Sequence, residues 1–181
     1  MKARAAFLLF SLAITLASCQ KLTGPAGGQS GVVIAKDRSC QVVLPSGWHE
    51  RKEEGTAVLR AGEPGETALF MILRIHKEDL ADNVTLKEQG RAYMDELRDN
   101  PLYEKVMITN GPVDCSIHGL PGLQYELDGV LKEGRTKFHY IITVVKGDKS
   151  FFRLVGTLLP SSVAKYRSGV EELTKSFTEL P

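Results

Sequence analysis

Residues 137–145 (KFHYIITVV) constrain the fold more than any other stretch of this chain. Phe138, Tyr140, Ile142 and Val144 alternate onto one side of a strand, while Ile141, Thr143 and Val145 take the other. A strand apolar on both alternating sets needs cover on each face. Residues 123–131 and 151–159 flank it, joined at Glu133-Gly134 and Gly147-Asp148, so the three segments predict an antiparallel meander. Residues 68–76 (ALFMILRIH) repeat the two-sided pattern, with Leu69, Met71, Leu73 and Ile75 set against Phe70 and Ile72.

Two amphipathic helices can supply the cover. The first starts at Thr85, where Thr85 and Glu88 have the spacing of a capping box: the hydroxyl accepts one free amide and the carboxylate another. Leu86, Tyr93, Met94 and Leu97 then fall on one stripe, and Asn100-Pro101 stops the helix. Gly90 weakens it by about 1 kcal/mol relative to Ala. The second helix follows Pro160, with Ser161 as the expected N-cap and Val163, Tyr166, Val170, Leu173 and Phe177 as the buried stripe. Shorter strands are expected at 39–44, 56–60, 103–109 and 113–117, with turns at 45–47, 62–65, Asn110-Gly111 and 118–122. Residues 49–54 (HERKEE) read as a solvated connection, and Pro112 suits an edge strand. The sum is an α+β domain over residues 37–181: an antiparallel sheet flanked by two helices, in three α/β/α layers.

The chain upstream is of another kind. Lys2 and Arg4 precede an apolar run at 5–17, the pattern of a secretory signal and too short for a comfortable membrane span. Leu16-Ala17-Ser18-Cys19 resembles the lipobox of bacterial lipoproteins. The resemblance implies a signal peptide over residues 1–18, cleavage before Cys19, and acylation of Cys19, where two or more chains anchor stably and one does not. The competing reading is an ordinary signal cut near Ala17, leaving a free thiol. By the lipoprotein resemblance, Gln20 after the cysteine favours the periplasmic side of the outer membrane in a host with two membranes. Residues 20–31 (QKLTGPAGGQSG) hold four glycines and one proline, so residues 19–36 read as the acylated cysteine followed by a flexible tether.

Charge excludes one class of partner. The chain has 23 basic and 22 acidic residues, and removal of the signal with Lys2 and Arg4 leaves 21 against 22. With no basic run of five or more, nucleic-acid binding has no footprint. Cys40 and Cys115 make an even pair in an exported chain, open to two readings. A disulfide would close a loop of about 75 residues and contribute up to ~4 kcal/mol; alternatively both are free thiols packed as small apolar groups.

No Gly-x-Ser-x-Gly elbow, Ser-x-x-Lys pair, phosphate-binding loop or Cys-x-x-Cys is present. His49, His76, His118 and His139 are scattered, and their spacing predicts no convergence into a metal site. No cofactor is expected. Trp48, the only tryptophan, sits beside a turn with His49. It reads either as a cap on the core or, with His49, as an aromatic contact for a partner.

Residues 43–48 (VLPSGW), the Gly119-Leu120-Pro121-Gly122 turn leading to Tyr125, and the closing Ser176-Phe177 resemble the PsbP-like family, whose relatives include bacterial DcrB-type lipoproteins. The order of strands and helices matches over residues 38–180. The resemblance implies an antiparallel sheet between two helix layers and roles in binding and assembly, and it brings no catalytic residues. The expectation is therefore a non-enzymatic envelope lipoprotein, held at the membrane through Cys19, that binds or helps assemble an envelope protein complex. A carrier or sensor of a small ligand or metal ion, with a cavity between sheet and helix, is the alternative.

Overall fold

The computed structural model describes residues 31–52 and 55–181. The signal peptide, Cys19 and the tether up to residue 30 lie outside the described residues. In chain order the elements are β1 (Val32–Ile34), β2 (Cys40–Val43), β3 (His49–Glu50), β4 (Ala57–Gly62), β5 (Ala68–His76), α1 (Leu86–Asp99), β6 (Tyr103–Ile117), β7 (Leu120–Leu131), β8 (Lys137–Lys146), β9 (Ser150–Leu158), α2 (Val163–Ser176) and β10 (Thr178–Glu179).

Seven strands form one antiparallel sheet in the order β3-β4-β5-β9-β8-β7-β6. The two-sided strands β5 and β8 lie in its interior, where both faces are covered as their sequences require. On one face Tyr93 and Met94 of α1 pack with Leu123, Tyr125, Leu127, Tyr140, Ile142, Val144 and Val155. On the other, Val170 and Leu173 of α2 and the adjoining Phe177 pack with Phe70, Ile72, Ile141, Val145, Phe152 and Leu154. The architecture is thus the expected α+β arrangement, with a helix on each face of an antiparallel sheet.

A second sheet, β1-β2-β10, shares the α2 face and places Val33, Ala35, Cys40 and Val42 into the same core. It moves the start of the fold to Val32, inside the stretch read as tether, because Val33 at 8% exposed and Ala35 at 2% are core residues. Three residues between glycines and a charged turn are too few to stand out as a strand; pairing with β2 makes them one.

Several local expectations hold and several do not. Thr85 and Glu88 form both halves of the capping box. Gly90 has a packing reason: a Cβ there would strike the Tyr125 hydroxyl, so the cost to helix propensity is exchanged for close approach to the sheet. Residues 49–50 pair with β4 instead of floating in solvent. Asn110-Gly111 does not turn the chain. β6 runs through it, and the register slips so that Asn110 faces Glu126 and Val113 faces Gln124, with Gly111-Pro112 left as a bulge. The actual turn is His118-Gly119, both at positive φ between paired Ile117 and Leu120, so β7 begins at Leu120 rather than 123. Ser162, not Ser161, occupies the cap position of α2, and its hydroxyl donates to the Thr67 and Leu159 carbonyls.

The disulfide weighed between Cys40 and Cys115 is not formed. Both are free thiols, on β2 of the small sheet and on edge strand β6 of the large one. Cys40 is fully buried, and burial pushes its thiol up to about 12.

Candidate functional site

Charged side chains from β7, β8 and α2 converge on the α2 face, next to the open β6 edge. Glu126 and Asp128 project from β7 on the same side, and the hairpin register sets His139 of β8 opposite Asp128. His139 Nδ1 lies 2.9 Å from Asp128 Oδ1, and Nε2 lies 3.3 Å from Glu126 Oε2. From α2, Arg167 grips Glu126 with both terminal nitrogens, at 3.0 and 2.5 Å, and donates through Nε to Glu171 at 3.0 Å. This guanidinium fork, reinforced by the His139 charge when protonated, outweighs burial and holds the Glu126 carboxyl below its usual range.

The chemistry of this cluster is that of a clasp. Both Glu126 oxygens are engaged, and neither ring nitrogen of His139 is aimed at a hydroxyl or thiol, so no nucleophile is activated here. Among the described residues no group of three His, Cys, Asp or Glu side chains could hold a metal ion. The clasp ties α2 to β7, the strand on which β6 is paired. The spacing of the four histidines concealed it. It was legible from the hairpin: once Leu131 is paired with residue 136, Asp128 must face His139.

β6 itself is the open edge of the seven-stranded sheet. Its register puts Met107 and Val113 on the α2 side, at 46% and 47% exposed, and Ile108 on the α1 side at 39%. Large apolar side chains on both sides of an unpaired edge are uncommon, because such edges template pairing with other chains. Pro112 and the bulge interrupt this edge at its middle without covering it.

The residues singled out as partner contacts lie elsewhere. Trp48 is 4% exposed, edge-on to Tyr166 with ring centroids 6.3 Å apart, and its indole abuts Gly169 of α2 where a side chain would collide. It caps the core and offers no aromatic anchor to a partner. His49 is half-buried in β3, and burial, helped by Arg51, holds it below the ordinary histidine range. His76 and His118 join no cluster: His76 reaches Glu78 at 3.9 Å, and His118 sits in the β6–β7 turn.

One buried carboxylate escaped sequence reasoning altogether. Glu63, 3% exposed, accepts from the amides of Gly65 and Thr67 and from the hydroxyls of Thr67 and Tyr166. Burial opposes its ionisation, but four donors outweigh it and hold the group at about 2. All its partners are internal, which makes it a structural pin between the β4–β5 turn and α2.

Cavities are found at the end of the sheet that carries the β8–β9 turn. One of about 400 Å³ opens between His118, Leu120, Lys149 and the last residues. Another, of about 280 Å³, lies under the loop before α1, against Phe151 and Lys146. Neither of these two lies between a helix and the sheet, where the core side chains already named pack.

No family model matches the chain, and a search of curated proteins finds no match. Solved structures do match. Cyanobacterial PsbP (CyanoP) from a Synechocystis species superposes with a TM-score of 0.63 at 14% identity, covering 91% of this chain and 99% of that one. LpqN from Mycobacterium tuberculosis, described as involved in cell envelope biogenesis, gives 0.58 at 12% identity over 83% and 90%. A Pseudomonas aeruginosa protein of unknown function gives 0.53 at 10% identity over 83% and 97%. The chain has a PsbP-like fold.

Proposed function

We propose that this chain is a non-enzymatic envelope module, lipid-anchored through Cys19, that binds an envelope protein along the β6 edge. The observation that carries the reading is the exposed edge itself. Met107, Ile108 and Val113 lie on an edge strand whose only ladder partner among the described residues, β7, is tied to α2 by the Glu126–Arg167 clasp. A strand or apolar surface of a partner can add to such an edge, main-chain hydrogen bonds supplying affinity and the flanking side chains selectivity. Tethering lets a weak contact suffice, because confinement to one membrane face raises the effective concentration of the partner. LpqN shares the fold and is described as acting in envelope biogenesis, which agrees with this reading.

A photoreactive amino acid placed in cells at position 107 or 113, with position 60 on β4 and position 137 on β8 as comparisons, tests the proposal. Capture of the same envelope protein from both edge positions, and from neither comparison, is expected. Equal capture from all positions, or none from the edge, refutes the edge as the contact.

A further inference from the structure

The large sheet is covered on both faces, but the small one is covered on one face only. Val33, Ala35, Cys40 and Val42 point into the core. By alternation Val32, Ile34 and Val43 point outward, at 58%, 52% and 45% exposed, and the register pairs Val32 with Val43 directly. Three β-branched aliphatic side chains thus form one outward patch, with no covering element among the described residues. Polar residues would serve equally well in a strand that needed only to close the core, since the inward residues already do that.

We infer that this patch is a lipid-contact face, by which the domain rests on the surface of the bilayer that its anchor enters. The inference builds on the reading of Cys19 as acylated. Its argument is distance along the chain. Residues 20–30 alone separate Cys19 from Gly31, and Val32 opens the fold. Even fully extended, that connection spans at most about 40 Å. A coil of that length has ends roughly 20 Å apart. The outward face of β1 is therefore the part of the fold that the chain itself brings first to the lipid. The contact is apolar in kind. No basic run accompanies the patch that could bind anionic headgroups, whereas Val and Ile side chains can enter the boundary between headgroups and acyl chains. Three such side chains would bind vesicles weakly alone; attached to an anchor, they set orientation instead of affinity. Resting on this face would fix which way the large sheet and its β6 edge point from the membrane.

The test uses the full native chain in vesicles of phosphatidylethanolamine and phosphatidylglycerol that contain a phospholipid with a diazirine in its upper acyl chain. After illumination and digestion, lipid adducts are mapped by mass spectrometry. Adducts are expected on peptides spanning residues 32–43, reduced several-fold in the triple variant Val32→Thr, Ile34→Thr, Val43→Thr, which keeps β-branching and points only to solvent. Adducts confined to residues 20–30, adducts concentrated on β6 or α1, or adducts unchanged in the triple variant overturn the inference. If Cys19 is acylated and the chain is vesicle-bound but residues 32–43 stay unlabelled, this inference alone fails. If Cys19 is not acylated and the chain does not bind, the anchor reading fails and takes the inference with it.

Discussion

Replacing Glu63 with Gln removes a charge that the fold has been built to receive. In the unfolded chain a glutamate titrates near its ordinary value of 4.5, whereas in the fold Glu63 sits at about 2. Folding therefore favours the ionised form, and that preference is worth about 3 kcal/mol when the group is fully charged in both states. The contribution is complete above the unfolded value and is lost as pH falls through the folded one. At pH 3 the linkage relation leaves about 1.5 kcal/mol. The Gln amide cannot ionise, and it also presents N–H groups where the Gly65 amide and the Tyr166 hydroxyl already donate. Glu63→Gln is thus expected to lower stability by about 3 kcal/mol at pH 7, the gap to wild type narrowing by about half at pH 3. Urea unfolding followed by Trp48 fluorescence reads this directly, since the single indole is buried against α2. A gap of the same size at both pH values, or no gap at pH 7, would refute the assignment of Glu63 as a charged pin.

Gly90→Ala should destabilise by about 1–3 kcal/mol despite the better helix former, because the methyl meets the Tyr125 hydroxyl. In a Tyr125→Phe background the same change should cost less, which a double-mutant cycle of urea midpoints measures. A thiol assay on unreduced, urea-unfolded Cys19→Ala protein should count two reactive groups, Cys40 and Cys115; in the folded protein at pH 8, Cys40 should stay unreactive, buried and pushed up to about 12. In cells, Cys19→Ala should leave the domain folded and move it from the membrane fraction to the soluble one, as fractionation and blotting report. Glu126→Gln breaks the charge of the α2 clasp and should cost about 1–2 kcal/mol in urea unfolding, modest because Arg167 is partly exposed.

The layers of this fold were legible wherever the signal was long. β5 has the bounds its sequence predicts, because its nine residues carry apolar side chains on both alternating sets, as an interior strand requires. α1 begins at its capping box, and both helical stripes face the core. What escaped was decided by partners distant in sequence. β1 is a strand only because residues 41–43 lie beside it. Asn110-Gly111 carries a strong local turn signal, but β7 holds both sides of it in one ladder. Leu120-Pro121-Gly122 reads as turn from its glycine and proline, yet the two-residue turn at His118-Gly119 is tight enough to start the strand there. The site followed the same rule. Trp48 was visible as special, and its neighbour Gly169, 121 positions away, decides between anchor and core cap. Glu63 lies in a Gly-Glu-Pro-Gly run that announces a turn, and nothing local tells that Tyr166 donates to it. The exposure of Met107, Ile108 and Val113 depends on β6 being the last strand, which is a property of topology alone.

The proposals about partner and membrane all turn on Cys19. The most direct test is the intact mass of the native chain extracted from the envelope fraction with detergent. The account predicts a species beginning at Cys19 and heavier than residues 19–181 by a diacylglyceryl group, with or without a further acyl chain. An unmodified mass, a chain cut at Ala17, or an uncut chain of 181 residues would contradict it.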